Sequence, residues 1–405
     1  MRVAFSAYGS RGIVEPIAVL AARLREAGAE VRVCAPPDEE FVGRLAEAGV
    51  RAVPVGRPVA PLVGSVAPGS AVGLTQRVAE LMDAQFETVA AVAEGCDVLV
   101  ATGPLPVTAP ARSVAEKLGV RYVHASHQPV ILPTPHRRPP GRRGQPLPPG
   151  VTDNQALWDL DAEIADTMFG EMLNSRRDTA GLPPVRNVRD YAFSDQPWLA
   201  TDPVLSPWRP TALDVVQTGA WLGDGERPLP DDLLGFLESG APPVYVGFGS
   251  TPLSDPAAVS RVAIEAVRAQ GRRAVVFRGW AGLGLIDDQD DCFLVGEVDH
   301  LALFRRVAAV VHHGSAGTTT TAALAGAPQV VLAQGADQPY WAGRVADLGI
   351  GAAHEGAAPT FDSLSAALGV ALSAGTRARA ATASGTVRAD GAAVAVGRLL
   401  GAGAR

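Results

Sequence analysis

Two histidines and a run of small residues, His312-His313-Gly314-Ser315-Ala316-Gly317, form the part of this 405-residue chain best equipped for chemistry. An apolar stretch over residues 307–311 reads as a buried strand that ends in the histidines. The glycines turn the chain into a helix running to Gly326. Backbone N–H groups at a helix start carry partial positive charge and have no internal partner, so the turn can cradle a diphosphate. A βα turn with glycines for close packing would look similar. The next strand, 329–332, leads to Asp337-Gln338-Pro339-Tyr340. An acid beside an amide can grip two neighbouring hydroxyls, as a hexose presents them. Diphosphate cradle followed by diol clamp is the pattern of a nucleotide-sugar site.

The elements that must position these residues repeat along the chain. Apolar runs at 3–7, 31–35, 52–55, 98–102 and 122–125 alternate with helical stretches. A second set lies at 244–248, 274–277, 292–295, 308–311 and 329–332. This alternation predicts α/β architecture with two doubly wound parallel-sheet domains. The helix over 16–27 has apolar positions at Ile17, Leu20, Ala21 and Leu24 and a stop signal at Gly28. Residues 197–221 are rich in Pro, Asp and Trp without sustained period and read as the connection. The expected boundaries are a first domain over 1–203, a linker over 204–222 and a second domain over 223–405. Each half ends its first strand in a small-residue turn, Tyr8-Gly9-Ser10-Arg11-Gly12 and Gly247-Phe248-Gly249-Ser250. Neither has the spacing of a dinucleotide fingerprint.

Residues 128–150 break this rhythm. Their prolines and four arginines (Arg137, Arg138, Arg142, Arg143) predict a long mobile loop at the ligand end of the first domain. Its charge would suit an acceptor carrying an anionic group.

Composition narrows the class. Hydrophobic content of 47% with 19% charged residues describes a globular chain. A net charge of −7 argues against a nucleic-acid partner. No apolar run reaches the ~18 residues of a membrane span. Cys34, Cys96 and Cys292 are odd in number and lie in or beside apolar strands, which fits buried reduced thiols in a cytoplasmic protein. No metal-ligand spacing is present among them, and the acid run Asp287-Asp288-Gln289-Asp290-Asp291 reads as a solvated loop.

Taken together, the blocks MRV…GSRG…EP, RVCAPPD, EGCDVLVATG, LNSRRDTAGLPPV, SDQPWLATDPVLSPWRPT, PPVYVGFGS, GRRAVVFRGWAGL, DCFLVGEVDH, HHGSAGTT and QPYWAGRVADLG resemble bacterial natural-product glycosyltransferases, specifically those that decorate vancomycin-type glycopeptide antibiotics. The resemblance covers essentially the whole chain. It implies the GT-B fold of two facing Rossmann-like domains, the first for a peptide-antibiotic aglycone and the second for a UDP- or TDP-sugar. That sugar nucleotide is a substrate; no cofactor and no metal are implied. Carried over by position, Gly249 and Ser250 are diphosphate contacts. Trp280 and Val298 flank the nucleobase. His312, His313, Gly314, Ser315, Ala316, Gly317 and Thr318 form the cradle. Ser10, Arg11 and Gly12 approach the donor from the first domain, and Asp337 and Gln338 bind sugar hydroxyls. That pair favours a glucose- or N-acetylglucosamine-type hexose from UDP.

One departure matters. Many relatives read G-S-R-G-D-T-E-P at the first turn, and the aspartate is their expected general base. This chain has Ile13 there, which cannot accept a proton. His127, at the end of the first domain's fifth strand, is the substitute expected by chemistry and place, with Asp337 and Glu15 after it. An inverting transfer to a phenolic or alcohol hydroxyl is the resulting expectation. A catalytically weak homologue acting as a partner protein, and a nucleotide-sugar epimerase, are the alternatives.

Overall fold

The computed structural model describes residues 1–60, 71–142, 144–225 and 227–401. Two compact units emerge. The first comprises Met1–Thr201, Trp208–Trp221 and the described part of Asp390–Arg405; the second comprises Asp202–Pro207 and Leu222–Ala389.

The first unit is built on seven strands: β1 (Arg2–Ala7), β2 (Glu30–Ala35), β3 (Ala52–Pro54), β4 (Val98–Thr102), β5 (Arg121–Ser126), β6 (Trp198–Leu199) and β7 (Val216–Gln217). They lie in the order β3-β2-β1-β4-β5-β6-β7, and every pair is parallel. Strands covered on both faces must be apolar throughout, and β4 is buried at all five positions. The second unit has six parallel strands: β8 (Val244–Gly247), β9 (Ala274–Phe277), β10 (Cys292–Val295), β11 (Ala309–His312), β12 (Gln329–Val331) and β13 (Gly351–Ala353), ordered β10-β9-β8-β11-β12-β13. In each sheet the winding reverses at one place, between β1 and β4 and between β8 and β11. Ligand crevices form outside the carboxyl ends of strands at such reversals.

Three sequence expectations change. The span 197–221 is not all connection, since β6 and β7 extend the first sheet. Two-residue strands are too short to show a period. The second domain does not run to 405. Helix Gly391–Gly401 places Ala392, Ala395 and Leu399 in the core of the first unit with Ile17 and Leu20. Its start sits so close to Gly219 and Ala220 that a Cβ on Gly391 would meet their backbone at 2.4 Å. The first helix begins at Arg11 and takes Pro16 into its early turns. The three cysteines are buried and free.

Candidate functional site

The carboxyl ends of β1, β4 and β5 open onto a cavity of about 340 Å³ wholly inside the first unit. Tyr8 and Gly9 follow β1, Thr102 and Gly103 close β4, and His124 and His127 come from the end of β5. Close packing of the strand ends explains the glycines. A Cβ on Gly103 would lie 2.7 Å from the Tyr8 carbonyl oxygen, and one on Gly9 would lie 2.8 Å from Cγ1 of Ile13. Ile13, in the first turn of the helix Arg11–Glu26, lines the same cavity as His127.

Three buried polar atoms around this cavity have no hydrogen-bond partner: Thr102 Oγ1, His124 Nδ1 and His127 Nε2. Buried polar atoms are nearly always satisfied, so three orphans on residues around one cavity are unusual, and in this structure each of the three atoms is itself covered by protein. Burial pulls the His127 pKa down to about 4, partly offset by a hydrogen bond to the Ala200 backbone. With Nε2 unpartnered, Nδ1–H is the donor to that carbonyl. The lone pair therefore resides on Nε2. The ring is braced edge-on against Trp221 at a centroid distance of 5.2 Å. His124 is likewise held neutral, burial and the neighbouring His127 pulling its pKa to about 3.

The described residues of 128–150 are held at Arg137 and Arg142, where a mobile loop was expected. Arg142 donates through Nε and Nη2 to both carboxylate oxygens of Asp161, at 2.7 and 2.8 Å. Trp158 Nε1 donates to the Arg137 carbonyl at 2.8 Å, and Arg137 Nη2 to the Pro129 carbonyl at 2.6 Å. Asp161 and Trp158 belong to the helix Asn154–Thr179, capped by Asp153. The cationic loop is thus internally engaged at Arg137 and Arg142; Arg143 lies outside the described residues. Glu15 is held by Arg44 at 2.6 and 2.9 Å and does not line the cavity, which removes it as a base. Arg11 pairs with Glu40 at 2.7 Å, so its charge is spent locally. Ser10 is the N-cap residue but makes no side-chain cap, and Gly12 is exposed beside it.

In the second unit the turns after β8, β9 and β11 gather at one end of the sheet. Gly249 has φ +56°, and a Cβ there would stand 3.0 Å from the His313 ring. The Gly249 carbonyl accepts from Trp280 N at 3.0 Å and Ala281 N at 3.3 Å, which ties the β8 turn to the β9 turn. Ser250 and Trp280 are half-buried there, and Val298 packs against the neighbouring core. Gly314, at φ +93°, leaves no room for a side chain: a Cβ would meet Val331 at 2.6 Å. Ser315 caps the helix Ala316–Leu324 by accepting from Thr318 N. The first-turn N–H groups of Ala316 and Gly317 lack intrahelical acceptors by geometry.

The two histidines divide their work. His312 is fully buried, its Nε2 on Gln329 Oε1 at 2.9 Å and its Nδ1 accepting from Gly314 N at 3.0 Å. Both nitrogens are consumed, so it shapes the turn and is not itself a ligand contact, which corrects the expectation. His313 has an unpartnered Nδ1 and is kept neutral by burial, its pKa drawn to about 3.

Asp337 and Gln338 follow a turn in which Ala336 adopts φ +53°, uncommon for a residue with a side chain. Asp337 Oδ2 accepts from Trp341 Nε1 at 2.8 Å, and Gln338 Oε1 accepts from Gln334 N at 2.7 Å. With its oxygen used, Gln338 offers a ligand its amide N–H₂. Among the described residues no three His, Cys, Asp or Glu side chains come together as metal ligands would, and no helix is long and apolar enough to cross a membrane.

Comparison with known proteins gives this geometry a family. The chain is 52% identical over 405 residues to the vancomycin aglycone glucosyltransferase of Amycolatopsis orientalis, covering 100% of this chain and 98% of that one. It is 50% identical over 389 residues to the dTDP-epi-vancosaminyltransferase of the same organism, covering 94% and 92%. The chain belongs to the glycopeptide-antibiotic glycosyltransferases. A family model described as the C-terminal domain of erythromycin biosynthesis protein CIII-like proteins matches residues 285–395, and a glycosyl transferase 4-like domain matches 11–158. Among solved structures the glycotransferase of kitacinnamycin superposes with a TM-score of 0.71 at 19% identity, covering 98% of both chains, which shows the GT-B fold.

This glycosyltransferase carries three cavity residues that sequence reasoning passed over: Thr102, His124 and Asp161. The spacing His124-Ala-Ser-His127 at a strand end was a usable signal for His124. Thr102 and Asp161 gave none, since each is an ordinary residue until the sheet order brings β4 beside β5 and the helix Asn154–Thr179 over the loop.

Proposed function

We propose that this glycosyltransferase moves a hexose of the glucose or N-acetylglucosamine type from UDP to a phenolic or alcohol hydroxyl of a glycopeptide aglycone, with inversion and without a metal or cofactor. The relatives include both a glucosyltransferase and a dTDP-sugar enzyme at nearly equal identity, so overall likeness does not choose the donor. The Asp337–Gln338 pair supports the hexose reading: an acceptor and an amide donor side by side suit the hydroxyls of a neutral hexose. The clustered turns at Gly249, Ser250, Trp280 and Val298 and the stretch His313–Gly314–Ser315–Ala316–Gly317–Thr318 suit a nucleoside diphosphate, with backbone amides facing the anion.

The observation that carries the chemistry is His127, which lines the cavity together with Ile13 and whose covered Nε2 has no hydrogen-bond partner. In the proposed step the acceptor oxygen attacks the anomeric carbon as its proton passes to Nε2. The bond from that carbon to the diphosphate oxygen breaks, and UDP leaves with the negative charge. A neutral imidazole keeps its lone pair at every pH above its depressed pKa, while the same burial makes it a weaker base than an exposed histidine. An acidic phenol, pKa about 10, needs less help than an alcohol. Family membership ranks this transfer above the epimerase and partner-protein readings. The test is mass spectrometry of a glycopeptide aglycone incubated with UDP- and TDP-sugars. One hexose gained from UDP-glucose or UDP-N-acetylglucosamine supports the proposal, whereas transfer from TDP-deoxyaminosugars alone contradicts it.

A further inference from the structure

The loop over residues 128–150 is bolted to the helix Asn154–Thr179 at two points, both on the cavity wall. One is the Arg142–Asp161 pair. Its carboxylate is 4% exposed, and it is approached also by Arg189 Nη1 at 3.5 Å. The other is Trp158, whose ring is buried, whose Nε1 holds the Arg137 carbonyl, and whose own carbonyl accepts from Arg189. Arg189 in turn pairs with Asp190 at 2.7 Å. Of the charged residues on this wall, Arg142 is offset by Asp161, and Arg189 is offset by Asp190, which lies outside the cavity lining. Pro140 and Gly141, which precede Arg142, complete the wall.

We propose that the Arg142–Asp161 pair is a specificity-determining brace. It fixes Pro140 and Gly141 against the helix and so sets the width of a charge-neutral cavity suited to an uncharged aromatic acceptor group. Arg142 then does not bind an acceptor carboxylate, because Asp161 already occupies both of its facing donors. This inference rests on the proposed reading of the cavity as the acceptor site. Breaking one partner of a buried pair leaves an uncompensated charge, while replacing both with apolar residues of similar volume is commonly tolerated. That asymmetry separates a brace from a ligand contact.

Asp161→Asn should raise acceptor KM about tenfold and admit bulkier phenols that the wild type rejects, with donor KM unchanged. The double variant Arg142→Met/Asp161→Leu should return acceptor KM to within about threefold of wild type. If the double variant remains as impaired as Arg142→Met alone while donor KM and thermal unfolding are normal, Arg142 is a ligand contact and the brace is wrong. Should Asp161→Asn not fold, the double variant against Arg142→Met still decides. Ile131→Trp, which fills the cavity from a different position, tests the underlying reading. If it leaves acceptor KM unchanged, the acceptor binds elsewhere, and the brace falls with that reading. If it raises acceptor KM while Asp161→Asn does not, the brace alone is overturned.

Discussion

The two candidate regions of this enzyme are made of different material. In the second unit the turns around Gly249 and Gly314 present backbone, and the nearby side chains are largely occupied by the protein itself: His312 on Gln329 and Gly314, Asp337 on Trp341, Gln338 on Gln334. In the first unit the cavity presents side chains, three of whose polar atoms are left without partners. A diphosphate is one chemical group recognised by fixed amides, so its cradle is set by positive-φ glycines and admits little variation. A hydroxyl that must be both bound and deprotonated needs side chains with unused lone pairs and protons. The difference predicts opposite sensitivities. Donor use should break on adding a methyl group to the backbone, and acceptor use on removing a polar atom.

The largest effect should come from Gly314→Ala. Its φ of +93° and the 2.6 Å approach to Val331 force the turn to move. Steady-state kinetics should show donor KM raised at least about tenfold, in keeping with the ~1–2 kcal/mol of left-handed strain alone, with acceptor KM near wild type. Equal damage to both constants would erase the distinction between the regions.

Thr102→Val sharpens the other side. It deletes a buried hydroxyl that has no partner, so denaturant unfolding should show stability unchanged or slightly higher. Acceptor KM should rise a few-fold and donor KM should stay constant. Loss of stability instead would mean that the hydroxyl serves the fold.

An effect on stability and not on KM, shared by both regions, concerns acid. His124, His127, His312 and His313 all have pKa values drawn down by burial, to about 3, 4, 4 and 3. Their unfolded value is about 6.5. Below it the unfolded chain takes up protons that the folded chain refuses. The stability from their neutral burial is complete above about pH 6.5 and drains as pH falls towards 4. Each histidine costs up to about 1.4 kcal/mol per pH unit in that window. Denaturant midpoints at pH 7.5 and 5 should therefore differ, and His312→Gln should narrow the gap. A flat profile would contradict the buried neutral state.

Much of the fold was legible because long parallel strands must be apolar: β4, β9 and β10 fall where the apolar runs lie. The strands β6, β7 and β13 were not: β6 and β7 have two residues and no period, and β13 is Gly-Ala-Ala, without the branched apolar residues that marked β3 and β12. The final helix Gly391–Gly401 looked like more of the second domain, since amphipathic spacing names a buried face without naming what buries it. The glycine turns of the second unit were visible as residue types at strand ends. The cavity of the first unit was half visible. His127 stood out by chemistry, while Thr102 and Asp161 acquired meaning only through topology. Arg142 misled because sequence shows a charge and hides its partner, here Asp161.

Whether His127 supplies what Ile13 cannot is tested most directly by kcat of two variants. His127→Ala should lower kcat by about 10²–10⁴-fold with little change in acceptor KM, because a base acts in the transition state. Adding Ile13→Asp to that variant should restore much of the lost rate, since both side chains line the same cavity. If His127→Ala turns over at the wild-type rate, or if it is slowed and Ile13→Asp restores nothing while donor and acceptor still bind, His127 is not the base.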